Sequence, residues 1–282
     1  MDESKIKLTP DGKTVYEVYD VDNLVIPEGV TKIDKCAATQ RAIVTVEIPD
    51  SVEEIGKEAF RICNYLQSVT IGAGVKKMGN EAFANCDNLT KVTIKEGVKT
   101  IGTYAFRHCK ALTEITLPES LTKIGANAFS GCSLNSITIP AKVKTICEWA
   151  FGGNPLKSVT FANGSKLTTI EEYAFTDTAI ETLVLPKGVK MIDKWAFTNC
   201  KNLKTVVLPD GIETFGKYSV FENCEALESI NIPASLTDLG YHAFKGCTAL
   251  KNITVDPANP AYVMKDGKLM TKDLQKQIFP VE

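Results

Sequence analysis

The feature that most constrains this 282-residue chain is an Ala-Phe step that recurs every 22 to 24 residues. A repeat of this length is typical of leucine-rich-repeat solenoids, in which each unit buries its apolar face only by stacking on the next. The sequence therefore predicts one elongated array, and such arrays offer long surfaces to partners. The step is found at Ala59-Phe60, Ala82-Phe83, Ala105-Phe106, Ala128-Phe129, Ala150-Phe151, Ala174-Phe175, Ala196-Phe197, Val220-Phe221 and Ala243-Phe244.

Each unit contains two short strand patterns and a tight turn. In the unit that holds Phe106, Val92 and Ile94 alternate with polar residues as in a half-buried strand. Val98 and Ile101 then form a second apolar pair before the Ala-Phe step. We expect that step to begin a short helical or 3₁₀ turn with the phenylalanine pointing into the core. Strands of successive units would then run parallel, about 4.8 Å apart.

Both ends of the chain carry hairpin signals. Asp11-Gly12 and Asp266-Gly267 lie between apolar stretches, and Asp-Gly is favoured in two-residue hairpin turns. We expect these hairpins to cover the open edges of the stack. The prediction is a single curved, right-handed leucine-rich-repeat solenoid of the α/β repeat class over residues 1–282. Its parts are an N-terminal cap at 1–20, about ten repeats at 21–250 and a C-terminal capping unit at 251–282.

Seven of the nine cysteines share one position, three residues after the repeat phenylalanine. Asn154 and Thr178 take that position in two other units. A disulfide framework would need complementary positions, and a zinc site would need closely spaced cysteine pairs. We therefore predict buried thiols that donate to turn carbonyls, as Asn and Thr can. The ladder comprises Cys63, Cys86, Cys109, Cys132, Cys200, Cys224 and Cys247, and Cys36 and Cys147 fall outside it.

Composition and motifs argue against several classes of protein. The net charge of -2 gives no electrostatic attraction to nucleic acid, and no apolar run reaches the 18 residues of a membrane span. The two histidines, His108 and His242, are too far apart in the array to share a site, and no nucleophile has a base and an orienting group beside it. We expect no enzymatic activity, cofactor, metal, nucleic-acid partner or membrane insertion, and a monomer.

The consensus L-x-x-I-x-I-P-x-x-V-x-x-I-G-x-x-A-F-x-x-C, repeated over roughly residues 21 to 250, resembles the BspA-like class of leucine-rich repeats. That class is typical of surface or secreted proteins of bacteria and protists, and its members are implicated in adhesion. The resemblance implies an extracellular or cell-surface module that binds host, matrix or cell-surface partners. The sequence starts without the apolar segment of a signal peptide, so an intracellular, cytoplasmic scaffold for protein partners is the alternative.

One candidate binding surface is a row of aromatic residues at or near the position before the Ala-Phe step. Large aromatic side chains in a partly exposed row are enriched at interfaces and suit a protein or glycan partner. The alternative is that neighbouring rings pack on one another and shield the turn. The row comprises Tyr104, Trp149, Tyr173, Trp195, Tyr218 and His242.

A second candidate surface is a row of threonines between the last two apolar residues of the first strand. It could form a flat binding strip on the face of the sheet. Threonine also suits any solvated sheet face because of its β-propensity, so the row has a purely structural explanation as well. The row comprises Thr70, Thr93, Thr116, Thr138 and Thr160.

Overall fold

The computed structural model describes residues 5–279 and places them in 24 strands, numbered β1 to β24 in chain order. The strands wind into about ten stacked turns of the chain, which confirms the predicted solenoid. The outer boundaries predicted for the caps, at residues 1 and 282, lie outside the described residues.

The second strand of each unit forms one continuous sheet along the array. Its strands are mostly two residues long, because only one apolar pair per unit faces the core, and apart from the first pair they run parallel. In order, they are β1 (Ile6–Leu8), β2 (Thr14–Val18), β4 (Lys32–Ile33), β6 (Glu54–Ile55), β8 (Lys77–Met78), β10 (Thr100–Ile101), β11 (Lys123–Ile124), β13 (Thr145–Ile146), β15 (Thr169–Ile170), β17 (Met191–Ile192) and β19 (Thr214–Phe215).

The first strands of the units also pair in parallel, but they form three separate sheets. One sheet contains β3 (Val21–Val25), β5 (Ile43–Ile48), β7 (Ser68–Ile71) and β9 (Lys91–Ile94). The next contains β12 (Ser136–Ile139) and β14 (Ser158–Phe161). The third contains β16 (Thr182–Val184), β18 (Thr205–Val207), β20 (Ser229–Ile232) and β21 (Asn252–Val255).

The core is built from rows of identical side chains that stack from unit to unit. The repeat phenylalanines from Phe60 to Phe244 are fully buried, with ring centroids 5.1–6.3 Å apart and nearly parallel planes. Rows of buried Leu, Ile and Val flank them. The first unit carries Ala38 in the phenylalanine position, so the aromatic row begins one unit later.

The Ala-Phe step lies in a turn and not in the helical or 3₁₀ segment that we expected, and residues 5–279 contain no α-helix. The reason is the backbone: Tyr104 and His108, on either side of Ala105-Phe106, have φ of 58°, which interrupts any right-handed helical run. The amides of Tyr104, Phe106 and His108 donate to the next unit at 2.8–2.9 Å. The intervening amides donate to carbonyls three residues earlier. The turns therefore stack through backbone hydrogen bonds as strands do.

Hairpins close both ends of the described chain. β1 and β2 are antiparallel, and their connection runs from Thr9 to Lys13, which is longer than a two-residue turn. At the other end, Asp266-Gly267 forms a two-residue turn between β22 (Tyr262–Lys265) and β23 (Lys268–Thr271), with φ of 50° and 77°. β24 (Gln277–Phe279) then pairs with β23, and the Phe279 ring meets the Phe244 ring edge-on at 6.1 Å.

Candidate functional site

Five aromatic rings stack in an unbroken row on the turn side of the solenoid, and we call this row the aromatic ladder. Their centroids are 4.8, 5.2, 5.4 and 6.2 Å apart in sequence order. The first four rings are stacked, and the last pair is tilted by 38°. The ladder consists of Trp149, Tyr173, Trp195, Tyr218 and Tyr241.

The structure thus brings together four of the six residues predicted for this surface and leaves two outside. Tyr104 is separated from Trp149 by the unit that carries Asn127 at the same position. His242 is exposed and follows Tyr241, whose ring takes the last place in the ladder. Sequence reasoning missed Tyr241 because the unit before it has one extra residue. The aromatic position therefore lies one residue further from the repeat phenylalanine than in the earlier units. Tyr218 forms an isolated β-bridge with Tyr241, and this pairing sets the shifted register.

The ladder is partly open to solvent and carries cations on its rings. Tyr218 and Tyr241 are 40% and 53% exposed, and the other three rings are half-buried. Lys194 lies over the Trp195 ring at 5.0 Å, and Lys217 and Lys276 lie over Tyr218 and Tyr241 at 5.7 and 5.2 Å. Such cation–π contacts help to fix the ring positions.

The pKa of the Tyr173 phenol is raised, first by its burial among the neighbouring rings and then by the nearby Glu172 carboxylate. The Glu172 carboxylate in turn forms an ion pair with the Lys194 ammonium at 2.9 Å, and this contact raises the pKa of Lys194. Both shifts keep the Tyr173 phenol neutral and the Lys194 ammonium charged at physiological pH.

The backbone under the ladder is unusual. Trp149, Tyr173 and Trp195 have φ of 55–57°, in the left-handed region that non-glycine residues seldom occupy. The same conformation recurs at the equivalent position of other units with Glu58, Glu81, Tyr104, Asn127 and His242. The geometry thus recurs with very different side chains, and the unit with Val220-Phe221, which has one extra residue, is the exception.

The predicted threonine row is interrupted. Thr70, Thr93, Thr138 and Thr160 lie in strands, with the hydroxyls of Thr138 and Thr160 2.8 Å apart. Thr116, by contrast, lies in a segment that forms no strand, although its pattern matches the other units. Val184 and Val207 continue the row and are exposed. The row faces a groove of 1190 Å³ at the interruption.

The cysteine ladder lies on the inner side of the turns. Each of its seven thiols is buried and donates to a main-chain carbonyl of the preceding unit at 3.1–3.2 Å, as Cys109 does to Phe83. The Asn154 amide makes the corresponding bond to the Phe129 carbonyl, whereas the Thr178 hydroxyl donates within its own unit to the Phe175 carbonyl. All nine cysteines are free. Burial raises the pKa of the Cys109 thiol, and it raises that of Cys247 to about 12.

Groups with catalytic or metal-binding chemistry are dispersed over the described residues. His108 is half-buried, and its pKa is lowered by burial and by Arg107 and Lys110. Residues 5–279 contain no cluster of three or more His, Cys, Asp or Glu side chains placed to hold a metal ion. Within the same range, no helix has the length and hydropathy needed to span a bilayer.

A family model described as the BspA type leucine rich repeat region matches the chain in six copies, over residues 12–133 and 122–251. The comparison with curated proteins gives no significant match.

Solved structures give the same picture of the fold. The chain is similar to a leucine-rich repeat protein from Bacteroides ovatus at 24% identity, with 90% of this chain and 87% of that chain covered and a TM-score of 0.52. It is similar to the pneumococcal vaccine antigen PcpA at 21% identity, with 95% and 90% covered and a TM-score of 0.51. A leucine rich cell surface protein from Faecalibacterium prausnitzii gives 24% identity, 91% and 94% coverage and a TM-score of 0.41. At these identities the likeness to the first two structures shows the fold alone.

Proposed function

Because the chain belongs to the BspA-type leucine-rich repeat family, we propose that it is a non-enzymatic module that binds a protein partner at a cell surface or after secretion. Leucine-rich repeats are generally protein-interaction modules, since their stacked units present long continuous surfaces. The observation that carries the proposal for this chain is the aromatic ladder.

The ladder has the composition of an interface. Tyr and Trp are enriched at the centres of protein interfaces, where their large rings bury much area at low conformational cost. Here five of them form a single row of half-buried and exposed rings. A partner that covered this row would remove from water a surface that the solenoid itself leaves partly open.

The orientation of the rings favours a protein over a glycan. Sugars bind aromatic side chains by lying flat on the ring face. The inner rings Tyr173, Trp195 and Tyr218 each have a neighbouring ring on both faces, so only their edges are free. Ring edges carry partial positive charge and suit backbone carbonyls and the faces of other aromatic side chains. A protein surface supplies both.

The experiment is a binding screen of the purified chain against an array of matrix proteins, host-cell surface proteins and glycans. Each ligand is tested with the wild type and with Trp149→Asn/Trp195→Asn. Asparagine is chosen because Asn127 adopts the same left-handed backbone in a neighbouring unit, so the change removes the rings without disturbing the turn. We expect protein ligands that bind the wild type and are lost in the variant.

Tyr65→Asn is the matched control, since Tyr65 is 65% exposed and lies outside the ladder. It should leave binding unchanged. Ligands that bind the ladder variant and the wild type equally would contradict the ladder as the site and point to the sheet face. An array on which nothing binds would contradict the adhesive role and favour a scaffold for intracellular proteins.

A further inference from the structure

The first strands are interrupted at two places: β14 and β16 do not pair, and between β9 and β12 a whole unit lacks its strand. The sheet formed by the second strands runs through both places without interruption. β9 pairs with β7 on one edge, and β12 pairs with β14, but residues 112–118 between them form no strand. The adjacent second strands β10, β11 and β13 remain paired. The opening is therefore local to one face of the solenoid.

The opening leaves main-chain groups without partners. Across residues 5–279, the amides of residues 114–117 donate no hydrogen bond to main chain or side chain, and their carbonyls accept none. Two bonds, from the Ser133 amide to the Leu112 carbonyl and from the Asn135 amide to the Thr113 carbonyl, join the start of residues 112–118 to the next unit. Pro118 has no amide to match the one that Lys95 donates to Ile71 in the preceding unit, so that bond is absent as well. Free main-chain edges of this kind are what an added strand pairs with.

A groove of 1190 Å³ lies over the opening. Core residues reach its floor: Val92, Ile115 and Ile137 line it, and Ile115 is only half-buried, whereas the equivalent Val69 is 1% exposed. Thr93 and Thr138 lie on either side. An extended polypeptide could thus place apolar side chains toward the floor and pair its main chain with the free edges.

The charges around the groove favour a basic occupant. Among its lining residues, three are acidic and one, Lys91, is basic. Glu96 is held by the main-chain amides of Glu119 and Ser120, which lower its pKa and keep its carboxylate ionised. Glu114 and Glu119 are exposed and have no ion pair within residues 5–279. A partner with lysine or arginine at alternate positions would complement this rim.

We propose that this groove is a second docking site, which binds an extended basic segment of a partner polypeptide by strand addition at residues 114–117. The site lies on the strand face of units that precede most of the aromatic ladder. Its test is therefore independent of the ladder proposal, and either can fail without the other.

The first test is amide hydrogen exchange on the free chain. The amides of Glu114–Leu117 should exchange at least tenfold faster than those of β9 and β12, because they have no hydrogen bonds. Equal protection of all three segments would mean that the sheet is closed in solution, and would overturn the proposal.

The second test uses an eight-residue peptide of alternating Lys and Val, acetylated and amidated, titrated into the full chain. We expect saturable binding below about 1 mM, with protection of residues 114–117 from exchange. The same peptide with N-methyl groups on the amides of one edge should bind at least tenfold more weakly, since it loses the main-chain bonds. A Glu-Val peptide of equal length should not bind.

Charge reversal on the protein completes the test. Glu114→Lys/Glu119→Lys should weaken binding by about tenfold, which is the size expected for two exposed ion pairs. Glu47→Lys is the matched control, because Glu47 is exposed in β5 on the same face but away from the groove. Failure of the Lys-Val peptide to bind, or an equal effect of both variants, would overturn the proposal.

Discussion

At the position before the Ala-Phe step, the backbone conformation recurs in every unit except the one with Val220-Phe221, while the side chain varies. Glu, Tyr, Asn, Trp and His all occupy it with φ of 55–58°. For an L-residue this conformation costs roughly 1 kcal/mol or more, and Asn and Gly tolerate it best. Aromatic residues at such a position gain the stacking of the ladder and offset the strain. Strained residues that persist also tend to mark functional sites.

A substitution at Asn127 tests the backbone argument directly. Asn127→Val should lower the free energy of unfolding by about 1–2 kcal/mol, because a β-branched residue is strongly disfavoured at positive φ. Asn127→Gly should change it by only a few tenths of a kcal/mol. Urea unfolding measures both. Asn135→Val, at an exposed position without positive φ, should be nearly neutral, and equal losses at the two sites would contradict the account.

The sequence predicts which residues form rows, but only part of the backbone conformation and of the neighbouring residues around them. The phenylalanine and cysteine rows follow from spacing, since one side chain per unit at a fixed position must stack on its equivalents. The left-handed turn positions have a weaker signal, which is the frequent Asn or Gly two residues after the phenylalanine, as at Asn85, Gly131 and Asn223. Tyr241 was hidden by the extra residue in the preceding unit.

Among the elements, the stacked turns depend on the thiols that bridge them. The Cys109 thiol is held neutral inside the fold, because burial raises its pKa, and it donates to the Phe83 carbonyl of the preceding unit at 3.2 Å. In the unfolded chain the same thiol has the ordinary cysteine pKa of about 8.5. Raising the pH above that value removes protons from the unfolded state while the folded state keeps them, so the folded state loses stability.

The wild type should therefore lose stability above pH 9 faster than Cys109→Thr, in which a hydroxyl replaces the thiol as at Thr178. The difference should approach about 1.4 kcal/mol per pH unit, the value for one proton. Urea unfolding at pH 8, 9 and 10 measures it. Parallel pH profiles for the two proteins would show that this thiol is not linked to folding.

Thiol accessibility gives a second check on the turns. A thiol reagent added to the folded chain at pH 8 should modify Cys36 quickly, because it is exposed. Cys147 should react slowly, since burial and Glu171 raise its pKa to about 11. The seven ladder thiols should react only after denaturant is added. Rapid modification of more than two thiols in the folded chain would contradict the ladder.

The open unit in the first-strand sheet could not have been predicted at the level of the element. Leu112 to Leu117 has the same apolar pattern as the units that form strands, and Pro follows several paired strands as well. A local apolar pattern therefore does not distinguish the open unit from the units that form strands. The positions that carry the strand pattern were thus predictable, whereas which of them form paired strands was not.

The whole molecule behaves as a one-dimensional stack in which each unit contacts only its neighbours. Its stability is therefore the sum of unit and interface contributions, and a weak interface can divide the array. The buried phenylalanine row is the most continuous of these interfaces, running through nine units from Phe60 to Phe244. Damage in the middle of the row should have consequences different from damage at its end.

Phe129→Ala should destabilise the chain by about 3–5 kcal/mol, because it leaves a cavity between two stacked rings at 5.4 and 5.6 Å. It should also separate the melting of the two halves into two calorimetric transitions. Phe244→Ala, at the C-terminal end of the row, is the control and should keep a single main transition. A single transition in both variants would contradict the nearest-neighbour description.

The central claim, that the aromatic ladder binds a protein partner, is tested most directly by calorimetric titration of a protein ligand from the array. The variants are Trp195→Asn and Tyr65→Asn, one inside the ladder and one outside it. Loss of a central tryptophan at an interface costs about 2 kcal/mol or more, so we predict at least a thirtyfold higher Kd for the first variant and no change for the second. Equal affinities for the wild type and Trp195→Asn would show that the partner binds elsewhere on the solenoid.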